Sequence, residues 1–286
     1  MLKIAVIVPV FGYHSKHLPF LLEALAKQRL EGDWELMLVD NNSCNVDAQL
    51  IQQCVESYRT QINIKLLEEK DQQSSYAARN KGISAAAEAK YLAFTDADCR
   101  PAENWLQSGI AYLEEQNVDL CAGAVCFTFS NPPSGAEIVD SFTNLQIESD
   151  VSQGFAKTAN LFVKKSIFDE MGLFNPKKIS GEDVCWTKGA SEAGYKLAYA
   201  SDAVVYHPAR SWIGMVRKQI RVGTNKSAVM HQLGISSSVL TKRTLMSLLP
   251  PSWNRVRKKF PVHTEREIVN KKYSILLAVW VSRAAT

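Results

Sequence analysis

The sequence lacks the short motifs by which several common nucleotide-binding and hydrolase folds are recognised. It contains no G-x-G-x-x-G after its first strand-like segment and no G-x-x-x-x-G-K-[ST], which disfavours a dinucleotide dehydrogenase and a P-loop enzyme. A G-x-S-x-G nucleophile elbow and an H-E-x-x-H helix are also absent. If the protein binds a nucleotide, the phosphates must therefore be held by a metal ion or by side chains, because no glycine-rich loop is available.

Paired cysteines and long apolar runs are lacking as well. The six cysteines are scattered without a C-x-x-C pair, so we expect free thiols in a reducing compartment and no zinc site. No run approaches the roughly 18 to 20 apolar residues of a membrane-spanning helix, and the longest late candidate is Tyr273–Val281. Residues 1–3 lead directly into a strand-like pattern, so we expect no secretion signal and a cytoplasmic location.

Charge is distributed unevenly along the 286 residues, whose net charge is +4. From Tyr206 to Thr286 there are 15 Lys and Arg but only two acids, whereas residues 1–205 carry a net charge of −9. A basic section after an acidic body indicates either a solvated helical face or contact with an anionic partner. No nucleic-acid recognition motif accompanies this charge, which disfavours nucleic acid as that partner.

The first half of the chain alternates between strand and helix patterns. The alternation predicts an α/β fold with a mostly parallel sheet flanked by helices. In such sheets ligands bind beyond the carboxyl ends of the strands, where this sequence places Pro9–Phe11, Asp40–Asn42 and Asp96–Asp98. The predicted strands are residues 3–10, 34–40, 62–68, 90–96 and 119–129, and the predicted helices are 18–28, 48–58, 76–87 and 103–116.

The second half is less regular. Asn131–Gly135 reads as a loop, residues 165–171 and 184–193 as helices, and residues 196–200 and 203–208 as two strands. After Pro208 the pattern is helical and basic. We therefore expect a catalytic domain over residues 1–210 and a helical basic extension over residues 211–286, packed on the first domain or lying at a membrane surface.

Three groups of residues could carry chemistry. Asp96 and Asp98 follow a buried strand, and two carboxylates there suit Mg²⁺ or Mn²⁺ beside a substrate phosphate, although such pairs are common in ordinary loops. Glu182 and Asp183 begin a helix, where acids complement the helix dipole or supply a general base. His207 ends a strand and is either structural or a third metal ligand.

Together these segments resemble the inverting glycosyltransferases of family 2, which have the GT-A fold. The resemblance covers about residues 3–210 and depends on five segments in a fixed order. These are "VIVPVFGYHSKHLPFLLEALAKQ", "LMLVDNNS", "YAARNKGI", "FTDADCRP" and "FDEMGLFN...SGEDVCWTKGASEAGYKLAYASDAVVYHP".

The resemblance implies a role for each matching residue. The donor nucleotide sugar would be bound by Asp40 at its base, by Arg79 near its diphosphate and by Asp96 at its ribose, with Pro9, Val10, Phe11, Asn42 and Ala97 alongside. Asp98 would be the principal ligand of Mn²⁺ or Mg²⁺, with Asp96 and, less securely matched, His207. Asp183 would be the catalytic base, and Glu182 would hold the acceptor or orient its partner.

The resemblance also implies the reaction. A base deprotonates an acceptor hydroxyl, which attacks the anomeric carbon opposite the nucleotide and inverts its configuration, in the synthesis of a polysaccharide, glycolipid or cell-surface glycan. A UDP-sugar is the favoured donor, and a glycan or lipid-linked molecule is the expected acceptor. Two departures bear on this reading: "VDNNS" replaces the usual "VDDGS", which leaves the nucleotide open, and the absent Q-x-x-R-W box indicates transfer of single sugars.

Alternative functions stay open at this point. A haloacid-dehalogenase-like phosphatase also places D-x-D after a strand, but Cys99 stands where Thr or Val normally follows. A sugar-nucleotide pyrophosphorylase would need a glycine-rich N-terminal loop, which is absent. A non-catalytic nucleotide-sugar-binding protein would need no base, and the intact "GED" disfavours it. Trp212, Trp253 and Trp280 in the basic section suit an anionic membrane surface, so we expect peripheral association with the inner membrane face.

Overall fold

The computed structural model describes residues 3–30, 32–232, 249–257 and 270–284. The chain divides into two compact units, the first formed by Met1–Cys126 and Ile147–His207 and the second by Phe127–Gln146 and Pro208–Thr286. Residues 127–146, which the sequence assigned to the first part, therefore group with the C-terminal residues. Parts of the predicted helical section, residues 233–248 and 258–269, lie outside the described residues.

Within the described residues the strands form an eight-stranded sheet in the order β3-β2-β1-β4-β7-β6-β8-β5. The sheet is mixed, because β1 to β4 pair in parallel whereas β4 with β7, β6 with β7, and β5 with β8 pair in antiparallel fashion. The prediction of an α/β fold is confirmed, but "mostly parallel" describes only half of the sheet. The strands are β1 Lys3–Val10, β2 Asp33–Asp40, β3 Ile64–Glu68, β4 Tyr91–Thr95, β5 Arg100–Pro101, β6 Leu120–Thr128, β7 Asn160–Lys164 and β8 Leu197–Pro208.

The parallel half forms because its strands are short apolar runs that helices cover on both faces. Every residue of β4 and nearly every residue of β1 is buried. The register pairs Val10 with Asp40 and Asp40 with Glu68, so the carboxyl ends of these three strands meet at one edge. This edge is where the predicted nucleotide-binding residues lie.

The helices of the first unit follow the predicted alternation with small shifts in their ends, except that the short helix Ile147–Ser152 was not predicted. They are α1 Leu18–Ala26, α2 Asn45–Tyr58, α3 Ser75–Ala85, α4 Trp105–Glu115, α6 Ile147–Ser152, α7 Lys165–Met171 and α8 Glu182–Glu192, and a short 3-10 helix covers Gly12–His17. Ser74 caps α3 through hydrogen bonds from the backbone N–H groups of Tyr76 and Ala77. The two strands predicted at 196–200 and 203–208 form one continuous strand, β8.

The core between α4 and β7 is fastened by a buried polar bridge. The indole N–H of Trp105 donates to Asn160 Oδ1 at 2.8 Å, and Asn160 Nδ2 donates to the carbonyl oxygens of Ala124 and Ala203 at 2.8 Å each. Asn160 therefore ties β7 to β6 and β8, whose central residues it reaches. A buried amide with all these partners met fixes the relative position of the three strands.

The second unit has a small helical core of its own. Its helices are α5 Gly135–Thr143, α9 Trp212–Gln232, α10 Trp253–Arg257 and α11 Lys272–Ala284. A capping box between Ser134 and Glu137 begins α5, so the predicted loop at Asn131–Gly135 gives way to a helix. The shared apolar core consists of Ala136, Val139, Met215, Val256, Ile275 and Ala278. Among the described residues, no helix combines the length and apolarity needed to cross a membrane.

Candidate active site

The two aspartates of the D-x-D lie in the turn that follows β4. The N–H of Cys99 donates to the carbonyl oxygen of Asp96 at 3.0 Å and closes this turn. The chain then enters β5, whose pairing of Arg100 with Tyr206 on β8 brings the next residue, His207, beside the turn. His207 is 1% exposed, and its Nε2 lies 3.8 Å from Asp98 Oδ1.

The candidate metal-ligand atoms of Asp96, Asp98, Cys99 and His207 all lie within 4.8 Å of one another. Two carboxylates and an imidazole fit Mn²⁺ or Mg²⁺, which prefer oxygen ligands and accept nitrogen. Cys99 is the poorest ligand of the four because it is a soft donor, and because burial and the charges of Asp98 and Asp96 raise the pKa of its thiol well above the usual value. The structure thus brings together the three predicted ligands, Asp96, Asp98 and His207.

Arg79 on α3 faces the same carboxylates. Its Nη2 donates to Asp96 Oδ1 at 2.6 Å, and its side chain is 4% exposed, so it is not a surface arginine of the helix. Its guanidinium also lies 5.7 Å from the centre of the Tyr76 ring. Among the described residues its Nε has no hydrogen-bond partner, so a buried donor is left at this edge of the site.

The predicted base-binding residues lie where β1 and β2 end. Asp40 Oδ1 accepts hydrogen bonds from Ser43 Oγ at 2.5 Å and from Ser43 N at 3.1 Å, which fixes the carboxylate. The N–H of Asn41 donates to the Val10 carbonyl oxygen at 2.9 Å, so the segment Pro9–Phe11 runs beside Asp40 as predicted. Asn42 is exposed and adopts a left-handed conformation at φ 62°, which Asn tolerates.

The acid pair Glu182–Asp183 forms the first turn of α8, as predicted. Gly181 precedes it at φ 80°, a left-handed conformation that favours glycine. Asp183 Oδ1 accepts from the Tyr76 hydroxyl at 2.8 Å, and Asp183 Oδ2 accepts from Thr158 N at 3.2 Å and Thr158 Oγ1 at 3.3 Å. The carboxylate of Asp183 is therefore held on both oxygens by neutral donors.

Glu182 is bound differently. Its Oε1 accepts from the Asn175 N–H at 3.0 Å, and its Oε2 forms an ion pair with Lys178 at 3.1 Å. Both oxygens are thus engaged by the loop that precedes α8, and the residue is buried. Glu182 therefore holds the preceding loop in place. Asp183, whose carboxylate accepts from neutral donors, is the member of the pair suited to accept a proton.

Sequence reasoning missed the residues that orient these acids. Tyr76 and Thr158 are distant in sequence from Asp183, whereas Asn175 and Lys178 lie seven and four residues before Glu182. Ser43 could have been found, because an Asp followed three residues later by Ser is a common turn that hydrogen-bonds locally. No local pattern identifies Tyr76 or Thr158, since their contacts depend on the packing of α3 and β7 around α8.

Comparison with known proteins yields a consistent set of relatives. A family model described as glycosyl transferase family 2 matches residues 5–171. Glycosyltransferase AglE of Haloferax volcanii is 39% identical over 228 residues, which span 79% of this chain and 73% of that protein. The pre-mycofactocin glycosyltransferase of Mycobacterium tuberculosis is 29% identical over 238 residues, but the match spans only 48% of its length.

Solved structures share the fold at low sequence identity. The mannosyltransferase PcManGT of Pyrobaculum calidifontis, in complex with GDP-Man and Mn²⁺, aligns with a TM-score of 0.65 at 15% identity over 98% of this chain and 85% of that one. TarS 1–349 of Staphylococcus aureus in complex with UDP-GlcNAc aligns with a TM-score of 0.58 at 20% identity over 97% and 82% of the two chains. At this identity the likeness shows the fold alone.

Proposed function

Because the chain belongs to glycosyl transferase family 2, we propose that it transfers single sugars from a nucleotide-sugar donor to an acceptor hydroxyl, with inversion at the anomeric carbon. The first compact unit would carry the reaction; it differs from the expected catalytic domain over residues 1–210 chiefly because residues 127–146 belong to the second unit. The observation that carries this proposal is the presence of two separate acid groups. Asp96 and Asp98 follow β4, whereas Glu182 and Asp183 begin α8, and each group has its own hydrogen-bond partners.

A divalent cation would be held by Asp98, Asp96 and His207, for which Mn²⁺ and Mg²⁺ are the best chemical match. When bound, such an ion neutralises the charge that develops on a diphosphate leaving group. Arg79 supports this arrangement because its ion pair with Asp96 fixes one carboxylate, and its remaining buried N–H is available to a phosphate oxygen.

Asp183 would act as the general base. Its two oxygens accept three hydrogen bonds from Tyr76 and Thr158, which hold the carboxylate while leaving lone pairs for the acceptor proton. The proton of the acceptor hydroxyl passes to Asp183 as the oxygen attacks the sugar from the side opposite the nucleotide. A second role for Glu182, holding the acceptor directly, is less supported because Asn175 and Lys178 already occupy it.

The nucleotide would lie along the carboxyl ends of β1, β2 and β4. Asp40 faces the base, with Pro9, Val10, Phe11 and Asn42 around it, and Arg79, Asp96 and Ala97 lie toward the ribose and diphosphate. A UDP-sugar remains the favoured donor, although the similar structures include complexes with both GDP-Man and UDP-GlcNAc. Asn41 contributes a buried Oδ1 without a partner among the described residues, an acceptor that a base N–H would satisfy.

The acceptor is proposed to be a glycan or a lipid-linked molecule at the inner membrane face. The support comes from the second unit, whose described surface combines exposed apolar side chains with lysines and arginines. That composition suits contact with anionic lipid headgroups. A cytoplasmic location with peripheral membrane contact follows from this proposal, and it is tested separately below.

The donor site is tested by thermal shift with UDP, GDP, dTDP and CMP, each with and without Mn²⁺. One nucleotide should stabilise the wild-type protein only with Mn²⁺, by about 2.7 kcal/mol at 100 times its Kd, which corresponds to several degrees in Tm. Asp98→Ala should abolish this shift. Asp202→Ala, which removes an exposed aspartate of β8, should keep it.

Three results would contradict the proposal in different ways. If no nucleotide stabilises the wild type, the proposed donor site is wrong. If the shift is independent of Mn²⁺ and of Asp98, the metal proposal fails while nucleotide binding stands. If a nucleotide sugar binds but is never cleaved, even slowly to water, a non-catalytic binding protein is indicated.

A further inference from the structure

Helix α3 carries two side chains, one turn apart, that reach the two acid groups of the site. Tyr76 contacts Asp183, and Arg79 contacts Asp96. Residues at i and i+3 share a face of a helix, so both side chains leave α3 in a similar direction. The guanidinium of Arg79 lies 5.7 Å from the centre of the Tyr76 ring, so the two side chains that make these contacts also lie beside each other.

The hydroxyl of Tyr76 is fully used by the start of α8. It donates to Asp183 Oδ1 at 2.8 Å and accepts from the backbone N–H of Glu182 at 3.1 Å. A phenol has a single proton, and the bond from Glu182 N leaves Asp183 as its acceptor. Burial, together with the charge of Asp183, holds the pKa of the Tyr76 phenol well above its usual value, so the group stays a donor.

The ring of Tyr76 is fixed by its neighbours. Its centre lies 5.8 Å from that of Phe174, which packs in turn on Phe94, Phe168 and Trp186. Asn80 on the same helix exchanges two hydrogen bonds with the backbone of Phe174, at 2.7 and 3.1 Å. A rigid aromatic cluster therefore holds the phenol, and the phenol holds the carboxylate.

We propose that Tyr76 is a positioning residue of the transfer reaction, because its hydroxyl sets the orientation of the Asp183 carboxylate. Helix α3, which also carries Arg79, fixes the position of that carboxylate relative to Asp96 on the donor side. The inference rests on the proposed function, since it assigns Asp183 as the base. Thr158 completes the clamp by donating twice to the other oxygen of Asp183. The lone pair that receives the acceptor proton is thereby aimed before the acceptor arrives.

Tyr76→Phe is the sharpest test because it removes the hydroxyl and keeps the ring. The probe reaction is release of nucleoside diphosphate from UDP-GlcNAc and from GDP-mannose, with water as acceptor. We expect kcat to fall about 10- to 100-fold with little change in donor KM, because orientation is lost but donor contacts remain.

Tyr91→Phe is the matched control. Tyr91 is equally buried and begins β4, at the end of the strand opposite the D-x-D turn. Its hydroxyl donates to a carboxylate oxygen of Glu114 on α4 at 2.9 Å. Tyr91→Phe should leave kcat unchanged. If the two variants behave alike, or if Tyr76→Phe raises donor KM without lowering kcat, the positioning role is wrong.

A crystal structure of Tyr76→Phe supplies a readout that does not depend on activity. The inference predicts that the Asp183 side chain rotates away from its position in the wild type, whereas an unmoved carboxylate overturns it. A failure of the proposed function looks different, because there the wild type itself neither binds a nucleotide sugar nor cleaves one.

Discussion

At the scale of single residues, the two aspartates that follow β4 lie in different environments. Asp96 forms an ion pair with the buried Arg79, whereas Asp98 faces His207. The ion pair restrains Asp96 and compensates its charge, whereas Asp98 Oδ1 lies 3.8 Å from Nε2 of His207, the third residue of the proposed metal site. The two positions should therefore differ in the effect of substitution, with Asp98 the more sensitive for metal-dependent binding.

Asp183→Asn should separate donor binding from catalysis. The amide keeps the shape of the carboxylate but cannot accept a proton, so the transfer rate should fall about 10²- to 10⁴-fold. Donor binding should persist, because the proposed nucleotide-binding residues lie at the ends of β1, β2 and β4 and on α3, not on α8. Transfer kinetics measured beside the Mn²⁺-dependent thermal shift check both expectations.

Asp202→Asn, at an exposed position of β8, is the control for that measurement. Glu182→Gln should be milder than Asp183→Asn, since its amide can still accept from Asn175 N while only the ion pair with Lys178 is lost. A nearly full transfer rate in Asp183→Asn would remove Asp183 as the base.

At the scale of elements, the strands of the parallel half could be predicted because each is a short, largely apolar run that alternates with a helical pattern. The edge at which the carboxyl ends of β1, β2 and β4 meet follows from that alternation alone. The predicted site residues at these ends were found because parallel strands in neighbouring βαβ units must end on the same side. The location of these candidate site residues could thus be predicted without any knowledge of side-chain contacts.

The elements missed by the sequence are those whose stability comes from tertiary context. β7 is only five residues long, and it is identified by pairing with β4 and β6 on its two sides. The turn after β4 takes its neighbours from β8, more than 100 residues later. Helix α5 was also missed, but it could have been predicted, because Ser134 and Glu137 have the spacing of a capping box. The roles of Tyr76 and Thr158 could not be predicted from the sequence for the same reason as β7, because their contacts with Asp183 depend on tertiary packing.

Gly109 provides a test of how tightly α4 packs on β7. A Cβ at this position would clash with the Phe162 ring, which is buried and packs against Trp105 in a tilted arrangement with ring centres 5.1 Å apart. Gly109→Ala should therefore lower the free energy of unfolding by about 1–3 kcal/mol or more, because neither partner can move freely. Urea unfolding is the measurement.

The control for Gly109→Ala is Gly189→Ala, in α8. There the nearest atom to an added Cβ is Met171 Cε at 3.7 Å, an ordinary contact. Alanine should then stabilise the helix by up to about 1 kcal/mol through propensity alone. Opposite signs for the two glycines would establish close packing at Gly109, whereas equal effects would show that α4 and β7 accommodate a methyl group.

At the scale of the whole molecule, the two compact units carry net charges of opposite sign. The second unit carries a net charge of +11 and the first a net charge of −7, counted over the full sequence of each. In the described part of the second unit the acids are Glu137 and Asp140. Glu137 is taken up by the capping box at Ser134, and Asp140 is buried and paired with Arg210. The acids of this part are turned inward, so its exposed charges are positive.

Helix α11 adds an apolar stripe to that surface. Tyr273, Leu277 and Trp280, at spacings of four and three residues, are exposed on one side, while Ile275 and Ala278 are buried in the unit's core on another. Exposed arginines occur on the neighbouring helices, at Arg217 and Arg221 of α9 and at Arg255 and Arg257 of α10. Aromatic and aliphatic side chains beside cations are the composition of a helix that lies at a charged membrane surface.

Vesicle sedimentation tests this surface directly. The protein should bind vesicles that contain phosphatidylglycerol, not those of phosphatidylcholine alone, because each cation near an anionic surface contributes about 1 kcal/mol. Binding should weaken sharply at about 1 M salt, where the Debye length is about 3 Å. Replacing Tyr273, Leu277 and Trp280 with serine should abolish binding, whereas serine at Val46 and Leu50, equally exposed on α2 of the acidic unit, should not. If binding does not depend on anionic lipid, or if the α11 substitutions leave it unchanged, the proposed membrane contact is wrong. The basic residues of the second unit would then form a solvated surface, and the acceptor of the transfer reaction would be sought away from membranes.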